Sequence, residues 1–171
     1  MPAEIQELNA HPKLRVLFLC TGNACRSQMA EGWVRVLKKN EVVPYSAGII
    51  AAGLDPLAVA VMAEAGVDIS AQRSKNVNDL RQAATGELPQ FDCVVTLCGH
   101  AHETCPAFPG LVRIVHKGFD DPPTLARGSQ TLEDALQPYR RVRDEIREFI
   151  SRLPGALETS TSQQQSNREE Q

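Results

Sequence analysis

Apolar residues along this chain follow two alternating rhythms. Leu14 to Leu19 (LRVLFL) is a compact apolar run that ends at Cys20 and a glycine-containing turn, and it predicts a fully buried strand. After Ser27, the residues Met29, Trp33, Val36 and Leu37 recur at helical spacing. Val42 to Ala47, closed by Gly48, predicts a second strand. Residues 56–65 open on Pro56 and run through Leu57, Val61 and Met62, a helix with proline in its first turn. A short helix is expected over 76–84. Phe91 to Leu97 (FDCVVTL) predicts a third strand, followed by Cys98-Gly99, and Leu111 to Val115 a fourth. Asp120-Asp121-Pro122-Pro123 predicts a turn or loop. From about Thr131 to Leu153 an apolar stripe (Leu132, Leu136, Tyr139, Val142, Ile146, Phe149, Ile150, Leu153) predicts an amphipathic helix, kinked or split at Pro138.

Strands alternating with helices predict an α/β fold with a parallel sheet. Right-handed crossovers and four strands favour a flavodoxin-like order, 2-1-3-4, with helices on both faces. Ligands in such sheets bind beyond the carboxyl ends of the strands at the switch point, here between strands one and three. Cys20 and Cys98 directly follow those two strands. Neighbouring strands lie about 4.8 Å apart, so this topology brings both cysteines into one crevice. A single α/β domain is expected over 13–153. Residues 1–12 form a polar arm, and 154–171 a polar tail whose composition predicts disorder.

The 171 residues suit one domain that buries a core without disulfide staples. With 18 basic and 21 acidic residues, the formal charge of −3 argues against a nucleic-acid footprint. No apolar run approaches the roughly 20 residues of a membrane span. The opening Met1-Pro2-Ala3-Glu4 lacks the basic and apolar regions of a secretion signal, so a cytoplasmic location is expected. Five cysteines, an odd number, do not read as a structural disulfide framework there. Metal binding, catalysis and core packing stay open.

Residues 20–27, Cys-Thr-Gly-Asn-Ala-Cys-Arg-Ser, join a strand to a helix N-terminus, a place where backbone N–H groups converge into an anion nest. Gly22 and Asn23 are residue types that tolerate positive φ, as such a nest requires. Arg26 offers a planar, permanently charged fork suited to a tetrahedral oxyanion. Cys20 faces the same positive field, which favours its thiolate, and Ser27 offers a hydroxyl to the sulfur. The candidate site is therefore a nucleophile, Cys20, aimed at an anion bound by Thr21, Gly22, Asn23, Ala24, Cys25, Arg26 and Ser27.

The segment Cys20 to Gly32, CTGNACRSQMAEG, resembles the phosphate-binding loop and first helix of the low-molecular-weight tyrosine phosphatase superfamily, which includes the thioredoxin-coupled arsenate reductases. The resemblance extends through Tyr45-Ser46-Ala47-Gly48, Val94 to Cys98, Cys105-Pro106 and Gly118 to Pro122, and so covers most of 13–153. It implies a four-stranded parallel sheet flanked by helices.

Both branches of the superfamily share the Cys20–Arg26 loop. A phosphatase needs one cysteine. Reducing arsenate takes two electrons, which two thiols supply by closing a disulfide. The pair Cys98 and Cys105 resembles the redox pair of the reductases. Phosphatases usually follow their Asp-Pro with an aromatic that walls the phosphotyrosine pocket; here Asp121-Pro122 is followed by Pro123 and Thr124. The resemblance thus implies an arsenate reductase in which Cys20 attacks, Asp121 acts as general acid, Cys98 and then Cys105 take over, and thioredoxin reduces the Cys98–Cys105 disulfide. It implies no bound cofactor, no metal and no nucleic-acid or membrane partner; a monomer is expected. The alternative is a protein-tyrosine or small-molecule phosphatase using Cys20, Arg26 and Asp121 alone.

Four further expectations follow. Residues 98–105 as an ideal helix would hold the two Cα atoms about 10.5 Å apart, beyond the roughly 7 Å a disulfide tolerates; the segment is therefore non-helical or unwinds on oxidation. Cys98, His100, His102 and Cys105 match no standard zinc spacing, and the two histidines read as solvent-facing loop residues. Cys25 and Cys93 read as packing residues. Some of these reductases hold potassium near the loop; Asn23, Glu31 and Ser46 match three ligand positions, while Lys75 replaces the fourth, an acid. No potassium dependence is expected.

Overall fold

The computed structural model describes residues 12–158. Four parallel strands, β1 (Leu14–Cys20), β2 (Val42–Gly48), β3 (Cys93–Thr96) and β4 (Arg113–His116), form one sheet in the order β2-β1-β3-β4. This is the order expected from the sequence. Val16, Leu17, Phe18 and Leu19 are all fully buried. Successive strand residues point to opposite faces, so the central strand is covered on both.

The helices are α1 (Arg26–Leu37), α2 (Pro56–Glu64), α3 (Gly99–Glu103), α4 (Pro122–Ala126) and α5 (Leu132–Ser151). The short helix expected over 76–84 is a single 3-10 turn, Val77–Leu80, closed by reciprocal Asn76 and Asp79 caps. Asp55 caps α2 from the position before Pro56, its carboxylate accepting the Leu57 N–H at 2.9 Å. Helix α5 lies against α1, α2 and α4.

Four expectations need correction. Asp120 to Pro123 is not all loop: Pro122 and Pro123 begin α4, because the first helical positions need no N–H partner. Pro138 does not split α5, which runs unbroken; its ring forfeits only the bond to the Asp134 carbonyl, on the exposed first turn. Leu132 drops out of the apolar stripe because it sits in that first turn and is 66% exposed, whereas Leu136, Tyr139, Val142, Ile146, Phe149, Ile150 and Leu153 are buried. Order also outlasts residue 153: 155–158 form a helical turn and Leu157 is buried. The remainder of the expected tail, 159–171, and residues 1–11 of the arm lie outside the described residues.

Candidate active site

The loop between β1 and α1 carries the site. Asn23 is the non-glycine residue with positive φ (47°) among the described residues. Its fully buried side chain holds that strained corner from three directions: Nδ2 donates to Ser27 Oγ at 2.8 Å, and Oδ1 accepts from Gln28 Nε2 at 2.9 Å and from the Lys75 amide at 2.8 Å. Gly22 is not in the left-handed region; it is glycine because a Cβ there would sit 2.9 Å from the Ala52 methyl. The end of β2 is equally close, since a Cβ on Gly48 would meet the Asn23 nitrogen at 2.7 Å.

The loop carbonyls are turned outward and tied down. Those of Cys20, Thr21, Gly22 and Ala24 accept from the amides of Ile49, Ile50, Ala52 and Asp55 at 2.9–3.1 Å. Among the described residues, no protein acceptor takes the N–H groups of Gly22, Asn23, Ala24 or Cys25. Donors without protein partners above a helix N-terminus make an anion cradle.

Cys20 ends β1 at the base of this cradle, 3% exposed, with Sγ 2.8 Å from Ser27 Oγ. Ser27 already accepts from Asn23, which leaves its own proton for the sulfur. Arg26 is held in place by two groups: Nη1 donates to the Phe119 carbonyl at 3.0 Å, and Nη2 pairs with Asp121 Oδ1 at 3.0 Å. The other carboxylate oxygen of Asp121 accepts from the Thr124 hydroxyl at 2.5 Å. Asp120 faces away, paired with Arg141. Cys20, Thr21, Gly22, Ala24, Cys25, Arg26, Asp121 and Pro123 line a cavity of about 280 Å³. Larger cavities of about 470 and 490 Å³ contain none of these residues. The small one suits a tetrahedral oxyanion, and no aromatic ring lines it.

Cys98 comes to the same mouth. Leu19 and Thr96 are in register, and Cys98 lies two residues beyond. Its sulfur sits 3.3 Å from the Thr21 hydroxyl of the loop and accepts the Ala101 N–H at 3.4 Å, capping α3. Cys105 lies beyond the other end of α3, half-buried, its thiol pushed up by burial. The intervening segment is thus helical over Gly99–Glu103, not loop, and His102 with it. All five cysteines are free. Burial first, then the Asp55 carboxylate, pushes the Cys25 thiol well up, and burial pushes Cys93 up to about 12. Neither is set up as a nucleophile.

Lys75 lies with Asn23, Glu31 and Ser46. Its ammonium is 3.9 Å from Glu31 Oε2 and donates to the Arg73 carbonyl at 2.7 Å, while the Ser46 hydroxyl donates to the same Glu31 oxygen. The positive charge at this spot is covalently attached. Two supporting residues escaped the sequence. Thr124 orients Asp121 from three positions on, a spacing that only a capping pattern would have flagged. Tyr139, on α5, donates to Asp55 Oδ2 at 2.6 Å, and the Asp55 amide in turn holds the Ala24 carbonyl at 3.0 Å. Nothing in the sequence links positions 84 residues apart.

Among the described residues, no group of three or more His, Cys, Asp or Glu is arranged to hold a metal ion. No helix among them is long and apolar enough to cross a membrane.

Comparison with known proteins gives a consistent result. The family model described as low molecular weight phosphotyrosine protein phosphatase matches residues 15–165. An arsenate reductase of Halalkalibacterium halodurans is 51% identical over 132 residues, 77% of this chain and 88% of that one. Among solved structures, the thioredoxin-dependent arsenate reductase of Corynebacterium glutamicum superposes with a TM-score of 0.59 at 26% identity, over 91% of this chain and 67% of that one. A low molecular weight protein tyrosine phosphatase from T. tengcongensis also superposes at 0.59, with 28% identity, over 82% of this chain and 97% of that one.

Proposed function

The chain belongs to the low molecular weight phosphotyrosine protein phosphatase family, and from that premise we propose that it is an arsenate reductase that serves arsenic detoxification in the cytoplasm. The observation that carries this reading is the second thiol at the loop: Cys98, 3.3 Å from the Thr21 hydroxyl. A phosphatase has no use for it.

Arsenate binds on the loop N–H groups with Arg26 across it. Cys20 thiolate attacks arsenic, and Asp121 gives its proton to the departing oxygen, which leaves as water. The bound anion draws Arg26 away from Asp121, which frees the carboxyl from its ion pair to act as the acid. Cys98 then attacks the Cys20 sulfur. The sulfur–sulfur bond forms, the electron pair of the sulfur–arsenic bond goes to arsenic, As(V) becomes As(III), and arsenite leaves. Cys105 attacks Cys98 and frees Cys20 as a thiol. Thioredoxin dithiol reduces the Cys98–Cys105 disulfide, so the enzyme needs no bound cofactor or metal and works as a monomer. Helix α3 lies between the two cysteines and must unwind for them to meet.

The test is single-turnover thiol counting by mass spectrometry, with arsenate and no reductant. Loss of two thiols, one arsenite released and a mapped Cys98–Cys105 disulfide support the cascade. Unchanged thiols with rapid hydrolysis of an aryl phosphate establish the phosphatase alternative, with Cys20, Arg26 and Asp121 as its whole apparatus. Pro123 at the cavity wall, where a phenyl ring needs an aromatic, weighs against that alternative.

A further inference from the structure

Helix α3 is one turn long, and a single turn has little stability of its own. Among the described residues, two side-chain ties besides buried Ala101 hold it to the sheet. One is the Cys98 sulfur at its N-terminus. The other is a three-residue cluster outside the active site. Thr96 ends β3 and His116 ends β4, in register with each other. His102 projects from α3 and lies against His116, ring centroids 4.5 Å apart. Both rings turn Nδ1 to the fully buried Thr96 hydroxyl, His116 at 2.9 Å and His102 at 3.2 Å.

We propose that Thr96, His102 and His116 form a pH-dependent clasp that keeps α3 wound in the reduced protein, which makes the two histidines positioning residues for the meeting of Cys105 with Cys98. The proposal rests on the reading that these two cysteines join.

Proton counting supplies the pH dependence. A hydroxyl has one proton and accepts on its lone pairs. With one ring donating Nδ1–H to the Thr96 oxygen and the hydroxyl donating to the other Nδ1, both bonds are satisfied. Adding a proton at Nε2 of the donating ring leaves that arrangement intact. A second proton does not. It must go on the accepting Nδ1, which turns the hydroxyl proton away toward the Val115 carbonyl at 3.5 Å and sets two imidazolium rings with centroids only 4.5 Å apart. Burial, then the neighbouring His102, already depress His116 below the ordinary histidine range. The clasp is therefore fully closed above about pH 6.5 and is lost as pH falls through the depressed value. Other charges near the pair are His100 and Glu103 on α3 and Lys117 after β4, whose ammonium lies over the Phe119 ring. β3 carries the neutral Thr96 and the Cys93 thiol, with the Cys98 thiol just beyond it, β4 carries Arg113 at its far end, and β1 the Cys20 thiol.

The clasp has a redox consequence. When the Cys98 sulfur enters a disulfide, the first tie is cut, and the clasp is what still opposes unwinding. By favouring the wound, reduced form, it makes the Cys98–Cys105 disulfide easier for a dithiol to reduce.

The experiment uses the full chain. In the reduced protein, imidazole nitrogen NMR near pH 7.5 shows one ring protonated at Nδ1 and the other at Nε2. Amide protection factors at His102 and Thr104 fall about tenfold as pH is lowered from about 7.5 through the depressed His116 range, the worth of one strong hydrogen bond. His102→Ala, at an exposed helical site that folding tolerates, removes this dependence, and Thr96→Val does the same from within the sheet. The equilibrium between the dithiol and the Cys98–Cys105 disulfide, measured against glutathione near pH 7.5, moves about fivefold toward the disulfide in His102→Ala, about 20 mV. The difference shrinks as pH falls through the depressed His116 range. Identical tautomers on both rings, or the same pH dependence in His102→Ala as in the parent, overturn the clasp. If no Cys98–Cys105 disulfide ever forms, the cysteine cascade falls, while the reduced-state measurements still decide the clasp.

Discussion

Asp121 and Arg26 bind each other across the mouth of the cavity, Oδ1 to Nη2 at 3.0 Å. The pairing aims the guanidinium, yet it also competes with the oxyanion for it. On the proposed mechanism, an oxyanion that takes the fork frees the Asp121 carboxyl in the same movement.

Asp121→Asn should therefore separate binding from chemistry. The competing charge is gone, so phosphate inhibits about tenfold more tightly. The general acid is gone too, so kcat falls by about 100- to 10,000-fold. A substitution that merely disturbs the loop weakens both. Steady-state kinetics with phosphate as inhibitor reads the two effects.

Ser27→Ala removes the hydroxyl that faces the Cys20 sulfur at 2.8 Å. Alkylation of Cys20 by iodoacetamide at neutral pH should slow about tenfold, the worth of a hydrogen bond to a charged acceptor. Alkylation of Cys105 in the same sample should not change.

Lys75 predicts an enzyme indifferent to potassium, because its ammonium already lies beside Glu31. Lys75→Asp converts the position to a carboxylate next to Asn23, Glu31 and Ser46. That variant should lose activity about tenfold in sodium and recover it with added potassium; a variant equally slow in both salts would show that the site holds no cation.

Cys93 bears on stability. Its thiol is pushed up to about 12 by burial, so the folded state favours the protonated form. That contribution is complete below the ordinary thiol range and is lost as pH rises toward 12. Cys93→Val should flatten the alkaline limb of the stability profile by on the order of 2 kcal/mol, read by urea unfolding between about pH 8 and pH 11.

The strand order and the loop were legible because each rests on a local pattern. A buried run, a glycine turn and a helix start stand side by side in the sequence, and strand order then places Cys98 near Cys20. Pro122 and Pro123 misled because proline signals a stop inside a helix and a start at its first turn, and a sequence does not say which. Pro138 misled for a related reason: one missing bond near an exposed helix start is tolerated. His102 read as loop because a single turn has no periodicity to detect. Thr124, Tyr139 and the His102–His116 pair were invisible for a different reason. Each acts through one long-range or capping contact, and no composition announces such a contact.

Tyr139 carries one last implication. The loop is encoded near the beginning of the chain, but its Ala24 carbonyl is held by Asp55, and Asp55 is held by a hydroxyl on the final long helix. During synthesis a ribosome finishes the loop more than a hundred residues before it makes that hydroxyl. A nascent chain halted before α5 carries every reactive group of the anion cradle and lacks the brace that shapes it. The last hydrogen bond in the chain of contacts that braces the loop is thereby made only when the fold is nearly complete.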